Sequence, residues 1–246
     1  MIFSIITAVY NNKEHIECAI NSVWSQKGVQ IEHIVMDGGS TDGTVEVIER
    51  INNPQIKFKS SKDKGIYDAL NKGILNATGE IIGILHSDDF YASENVLKKV
   101  EDLFLDGADV VYGDLDYVER NNPSQIFRKW RSGIFTPFDL NLGWVAPHPS
   151  FFVKRSILGD VGGFDLNFKI SADYDFILRV LKKEKIKVAY LPTTIVKMRV
   201  GGESNKTFKN KFKGSAEDYL IAKKYFSNPF FTVVCKVLRK IPQLVS

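Results

Sequence analysis

Ile81-Ile82-Gly83-Ile84-Leu85-His86-Ser87-Asp88-Asp89 is a short apolar run that ends in two carboxylates. An apolar stretch of this length reads as a strand buried on both faces, the kind that builds parallel sheets. The same pattern recurs toward the amino terminus. Ile2 to Val9 is nearly continuous in apolar and β-branched residues and runs into Tyr10-Asn11-Asn12. Ile31 to Met36 runs into Asp37-Gly38-Gly39-Ser40-Thr41-Asp42-Gly43. Between these runs, apolar residues take helical spacing: Ile16, Ala19, Ile20, Val23 and Trp24, then Thr44 to Ile51, then Ile66 to Asn76, stopped by Thr78-Gly79. A weaker strand is expected at Ile56 to Lys59. Asn11 and Glu14 have the spacing of a capping box, and Asp42 is placed to cap the helix after it. This alternation predicts an α/β fold with a doubly wound, mostly parallel central sheet and helices on both faces.

In such sheets ligands collect at the carboxyl ends of the strands. The three polar loops 10–12, 37–42 and 86–89 all lie at those ends. Asp88-Asp89 suits a hard divalent cation that also holds phosphates, although acidic residues ahead of a helix near Ser93 are the structural alternative. Asp37 sits among glycines that permit close backbone approach and is expected to face a ligand, while Asp42 is expected to be structural. Ser171-Ala172-Asp173-Tyr174-Asp175 opens a helix within Ile170 to Lys183. Its carboxylates suit the helix dipole, or a general base at the mouth of the same cleft.

The second half is less regular. Val110 to Tyr112, Phe151 to Val153 and Val188 to Leu191 read as short strands, and the proline-rich span 121–149 as a mobile or substrate-shaping loop region. It carries Trp130, Trp144 and His148, which could meet sugars or serve as structural anchors.

Composition sets limits. The chain has 246 residues, 44% hydrophobic and 25% charged, which is ordinary for a globular protein with a core. No apolar run approaches the ~18 residues of a membrane span, and the start lacks the features of a signal peptide. Cys18 and Cys235 fit neither a disulfide framework nor a zinc site, and a cytoplasmic location is expected. There is no G-x-G-x-x-G after the first strand, no P-loop and no G-x-S-x-G elbow, which excludes three familiar nucleotide and hydrolase classes.

The ordered series resembles family 2 glycosyltransferases of the GT-A fold. It comprises Ile5 to Asn11, Asp37 to Thr44, Asp63 to Gly73, Ala77-Thr78-Gly79-Glu80, Ser87-Asp88-Asp89, Gly162-Gly163-Phe164-Asp165 and Ala172 to Phe176. The resemblance covers about residues 1–205 and includes bacterial polysaccharide-biosynthesis enzymes. It implies a domain over 1–226, with a nucleotide-sugar half to about 115 and an acceptor half after it. It also implies inverting transfer of a sugar from a nucleotide diphosphate donor, UDP by preference, to a hydroxyl of a saccharide or lipid-linked saccharide.

By the same resemblance Asp89 holds Mn²⁺ or Mg²⁺, and Asp88 contacts the ribose or orients the metal site. Asp173 is the base. Thr7, Val9, Tyr10, Asn11, Asp37, Asp63, Lys64 and Asp68 border the donor, while His148 and Trp144 are candidate sugar or acceptor contacts. Two positions depart from the family pattern: Gly38, where many relatives carry a second acid that reads uracil, and Ala172, where Glu is usual. No Gln-x-x-Arg-Trp motif is present, so one addition per acceptor is expected. An inactive sugar-nucleotide scaffold and a nucleotidyltransferase are the competing readings.

The charge is uneven. Residues 197–246 hold 11 Lys and Arg against 3 Asp and Glu, a net of +8, which leaves −4 for residues 1–196 of a chain whose net charge is +4. Within 227–246, Phe230, Phe231, Val233, Val234, Val237, Leu238 and Ile241 fall on one side of a helix and Lys236, Arg239 and Lys240 on the other. Such a helix is expected to lie on the inner face of the cytoplasmic membrane, or to pack on the domain or in a homodimer seam. These basic residues form no aromatic stacking platform, so no nucleic-acid partner is expected.

Overall fold

The computed structural model describes residues 1–201, 208–240 and 243. Strands β1 (Ile2–Val9), β2 (Gln30–Asp37), β3 (Ile56–Ser60) and β4 (Ile81–Ile84) run parallel in the order β3-β2-β1-β4. Helices α1 (Ile16–Trp24), α2 (Thr44–Ile51) and α3 (Ile66–Asn76) make the crossovers. Because side chains alternate along a strand, β1 divides its own between two layers. Ile6 and Ala8 pack with Ala69 and Leu70 of α3, while Val9 packs with Ile16, Ile20 and Ile48 of α1 and α2.

Beyond β4 the sheet turns mixed. It continues through β8 (Phe151–Lys154), β6 (Val110–Val118), β9 (Val188–Arg199) and the two-residue β5 (Phe90–Tyr91), with β7 (Ile126–Trp130) antiparallel to β6. Helices α4 (Val96–Leu105), α5 (Arg155–Val161) and α6 (Ala172–Leu181) cover it, followed by α7 (Phe208–Tyr225) and α8 (Pro229–Leu238).

Several sequence expectations change. Helix α1 starts at Ile16 after His15 with no side-chain cap, so Asn11 and Glu14 form no capping box. Asn11 instead takes φ 48° and ties two loops together. The cap position of α2 is Gly43, and Asp42 accepts from the backbone N–H groups of Thr44 and Lys13. The span 121–149 is ordered by β7 and by 3₁₀ turns at Pro137–Leu140 and His148–Ser150.

Helix α8 differs most from its expected setting. Its basic side lies along the protein, where Lys236 is covered while Arg239 and Lys240 stay exposed. Lys236 pairs with Asp218 at 2.7 Å and lies 3.6 Å over the Tyr174 ring, and Arg239 donates to Leu142 O. Gly143, at φ 69°, leaves no room for a Cβ against the α8 backbone, 2.5 Å from Thr232 O. The apolar residues Phe230, Phe231, Val234, Val237 and Leu238 point outward and are exposed. Ile241 lies outside the described residues. No helix among the described residues is long and apolar enough to cross a membrane.

Candidate active site

Parallel pairing places Val9 beside Asp37 and Asp37 beside Ser60, so the ends of β1, β2 and β3 form one edge. The loops leaving that edge bond to one another. Asn11 N donates to Ser40 Oγ and Asn11 Oδ1 accepts from Thr41 N, while Asn12 Nδ2 donates to Ser87 Oγ at 2.9 Å. Tyr10 is 63% exposed and stands over this edge.

Three residues expected on the donor side keep their side chains away from solvent. Thr7 and Val9 are buried, because a strand covered on both faces has no side chain left for the cleft. Thr7 Oγ1 meets His33 Nε2 at 3.0 Å instead. Asp37 is 2% exposed and turns inward, accepting from Gly39 N, Ser40 N and Ser60 Oγ. It shapes the loop, with Oδ1 accepting from Ser40 Oγ.

Asp63 and Asp68 also organise their own segment. Asp63 Oδ1 accepts from Gly65 N, and Asp68 accepts from Lys64 N and pairs with Lys72 at 3.0 Å. The Lys64 residue is exposed. A Cβ on Gly38 would lie 2.7 Å from Asp63 Oδ2 and 3.3 Å from the Tyr10 ring. Asp63 thus brings an acid close to the position where many relatives carry one on residue 38.

Asp88 and Asp89 follow β4 but face different surroundings. Asp88 is partly exposed, 3.8 Å from Arg120. Asp89 is fully buried, with Oδ1 near Arg199 N and Oδ2 without a hydrogen-bond partner among the described residues. Burial, then the neighbouring Asp88 charge, pushes the Asp89 carboxyl well above the usual carboxylate range. The Arg199 guanidinium donates to Asp88 O and lies over the Phe90 ring, which fixes this corner. No cluster of three or more metal-ligating side chains occurs among the described residues. A cation here would use Asp89 and draw its other ligands from Asp88, phosphates and water, a common arrangement for Mg²⁺. The orphaned buried Asp89 oxygen fits that group.

Asp173 opens α6 and lies within reach of two partners. His148 Nδ1 is 3.3 Å from Asp173 Oδ2, and Tyr67 Oη, which donates to Ile170 O, is 3.3 Å from Oδ1. Burial alone would raise the Asp173 pKa, but the hydrogen bond and charge of His148, with the charge of Lys236, hold it at about 2. The other His148 nitrogen meets His86 Nε2. Burial, then the His148 charge, brings His86 down to about 3, so it is neutral at ordinary pH.

His86 O also accepts from Asp89 N at 3.0 Å. One chain of contacts therefore runs from Asp89 through His86 and His148 to Asp173. His148 was a candidate contact from the sequence, whereas His86, Tyr67 and Arg199 were not assigned. For His86 the available signal was its place directly before Ser87-Asp88-Asp89. Trp144 is not a sugar platform. It is 5% exposed, packs on Tyr112 and Phe135, and donates to Ser132 O. Trp130 is half-buried beside Arg128.

A cleft of about 810 Å³ extends from His148 and Asp173 to the inner side of α8. Its walls include Tyr117, Arg128, Lys236 and Lys240. Burial raises the Tyr117 hydroxyl above the ordinary tyrosine value, against the opposing charge of Arg128.

Residues 4–162 match the glycosyl transferase family 2 model. The fold and the strand-end carboxylates define a GT-A glycosyltransferase. The chain belongs to glycosyl transferase family 2. It is 34% identical over 187 residues to an uncharacterized glycosyltransferase of Mycobacterium tuberculosis, covering 72% of this chain and 67% of that protein. A PGL/p-HBAD biosynthesis glycosyltransferase of Mycobacterium bovis is 29% identical over 218 residues, covering 85% and 82%.

Among solved structures, S. aureus TarS with UDP-GlcNAc aligns at TM-score 0.70 and 18% identity, covering 98% of this chain and 73% of that one. Mannosyltransferase PcManGT from Pyrobaculum calidifontis, with GDP-Man and Mn²⁺, aligns at 0.68 and 17%, covering 98% and 70%. A longer TarS chain is covered over 39% of its length.

Proposed function

We propose that this glycosyltransferase moves a sugar from a nucleotide diphosphate sugar, UDP-linked in the first instance, to a hydroxyl of a saccharide or lipid-linked saccharide. The transfer inverts the anomeric centre and adds one residue per acceptor, in the synthesis of a surface polysaccharide or glycolipid. The observation that carries this reading is that the Asp89 main chain bonds to His86, whose ring meets His148, which in turn meets Asp173, so that the strand-end acid and the base candidate are held by one connected set of residues.

In the proposed step the acceptor oxygen attacks C1 of the donor sugar and the C1–O bond to the diphosphate breaks. The diphosphate leaves with the electron pair, and Asp173 receives the acceptor proton. His148 holds the carboxylate in place, and neutral His86 backs His148. A bound divalent cation would offset the charge that develops on the leaving diphosphate, and Asp89, with Asp88 beside it, would hold that cation. Tyr10 and Asn11 offer an exposed ring and a polar edge to the nucleoside, and Asp63 replaces the acid missing at position 38.

Proteins of similar fold support the ligand class. TarS is described with UDP-GlcNAc and PcManGT with GDP-Man and Mn²⁺, and the mycobacterial relative is named for PGL/p-HBAD biosynthesis. The outward apolar face of α8 is the surface through which the enzyme would rest on the inner face of the cytoplasmic membrane. Donor consumption by wild type and by Asp173→Asn tests the chemistry. The variant should bind donor and fail to transfer; transfer at the wild-type rate removes Asp173 as the base.

A further inference from the structure

The cleft beside Asp173 carries more positive charge than its own carboxylates offset. Lys236 is paired with Asp218, Arg131 with Asp116 at 2.7 Å, and Arg239 lies 3.4 Å from Asp139. Arg128 and Lys240 line the same cleft and have no carboxylate partner among the described residues. Arg128 lies 4.0 Å over the Tyr117 ring, and its buried Nε has no hydrogen-bond partner. The Lys240 residue is exposed along part of its length, yet desolvation of its ammonium, then the charges of Lys236 and Arg128, lowers its pKa below the ordinary lysine value.

Lys129 lines the cleft as well, again with no carboxylate partner among the described residues, and cations left unneutralised beside a binding cleft are costly unless an anion joins them. The donor has its own place, because Tyr10, Asn11, Asp88 and Asp89 lie outside the walls of this cleft. We infer that Arg128 and Lys240 hold a phosphate group carried by the acceptor, so that the acceptor hydroxyl is presented to Asp173 from an anionic molecule. A guanidinium with an N–H unpartnered among the described residues and an ammonium on a long side chain together match the charge and the several acceptor oxygens of a phosphate ester or diphosphate. A neutral glycan would leave both cations uncompensated. The inference rests on the transferase reading for the word acceptor, while the anion site stands on its own residues.

The test uses the full chain with UDP present to occupy the nucleoside loops. Inorganic pyrophosphate is titrated by calorimetry, and co-sedimentation is measured with phosphatidylcholine vesicles with and without phosphatidic acid. The double variant Arg128→Gln/Lys240→Gln should lose about tenfold or more in affinity in at least one arm, as expected when charge-assisted hydrogen bonds are removed, while its UDP affinity stays unchanged. Loss confined to the phosphatidic acid arm assigns the site to a lipid phosphate, and loss confined to the pyrophosphate arm to a soluble one. Equal binding by variant and wild type in both arms overturns the inference, as does failure of both probes to bind wild type. If phosphate binds and neither UDP nor any nucleotide sugar does, the anion site survives and the transferase reading falls.

Discussion

Strands β3, β2, β1 and β4 run parallel, with crossover helices between them and polar loops at one edge. Past β4, the sheet mixes parallel and antiparallel neighbours, carries a bulge between β6 and β9, and encloses the cleft that holds Asp173. The parallel half is a scaffold most of whose side chains are spent on packing and on binding its own loops, with Asp88 and Asp89 at the end of its last strand as the exception. The mixed half keeps charged groups for chemistry. Of the nine donor-side residues expected from the sequence, Thr7, Val9 and Asp37 belong to the scaffold by burial, and Asp63 and Asp68 hold their own segment by hydrogen bonds. Asp173 and His148, from the less regular half, meet at the centre of the site.

Replacing Asp173 should have the largest effect on activity. Asp173→Asn keeps the side-chain shape and removes the proton acceptor, so transfer should fall by about 10²–10⁴-fold with donor affinity unchanged. Rapid-quench assays of transfer, with donor binding measured separately, check this. Loss of binding in parallel would mean that the two halves are not divided as described.

Asp89→Asn sharpens the contrast from the other side. Burial raises the Asp89 pKa, so its contribution to stability is greatest below the unfolded-state value of about 4 and declines as pH rises toward the folded value. In metal-free buffer at neutral pH the variant should therefore melt about 2–4 °C higher, as for a gain near 1 kcal/mol in a chain of this size. Mn²⁺ should raise the melting temperature of wild type and leave the variant unmoved. A drop in melting temperature without metal would contradict the burial argument.

Within the scaffold, Gly79→Ala is expected to cost about 1–3 kcal/mol by overpacking. Its Cβ would lie 2.7 Å from Ile2 O and 2.9 Å from Ser4 N. Denaturant unfolding measures this, and an unchanged midpoint would show that the β1–β4 edge yields more easily than its packing implies.

A smaller effect is expected at His148. Its hydrogen bond and charge lower the Asp173 pKa, so His148→Ala should move the acid limb of the kcat/KM profile to higher pH. A profile that stays in place would mean that His148 does not act on the base.

The parallel half was legible because its signals are local. A strand buried on both faces is a plain apolar run, and α2 and α3 were bounded by residues 44–51 and 66–76 as expected. The mixed half hid its strands behind polar residues. β6 contains Asp114 and Asp116, buried because Arg131, Ser132 and Tyr190 satisfy them, so only its first three residues looked like a strand. β9 was expected only over Val188 to Leu191, yet it runs on to Arg199 because Pro192 sits where the register with β6 shifts. The direction of α8 depended on a backbone contact at Gly143 and an ion pair to Asp218, which no helical projection contains. The carboxylates and Asp173 were identified through the resemblance to the family. The link between them through His86 and His148 exists only once residues 62 apart in sequence meet in space.

The central claim is that the strand-end carboxylates and the loops beside them bind a nucleotide sugar with a divalent cation. Thermal shift of the wild-type chain with UDP-, GDP- and dTDP-sugars, each with and without Mn²⁺, tests it most directly. At least one nucleotide sugar should stabilise the protein, more strongly with Mn²⁺ than without. No stabilisation by any of them in either condition would contradict it.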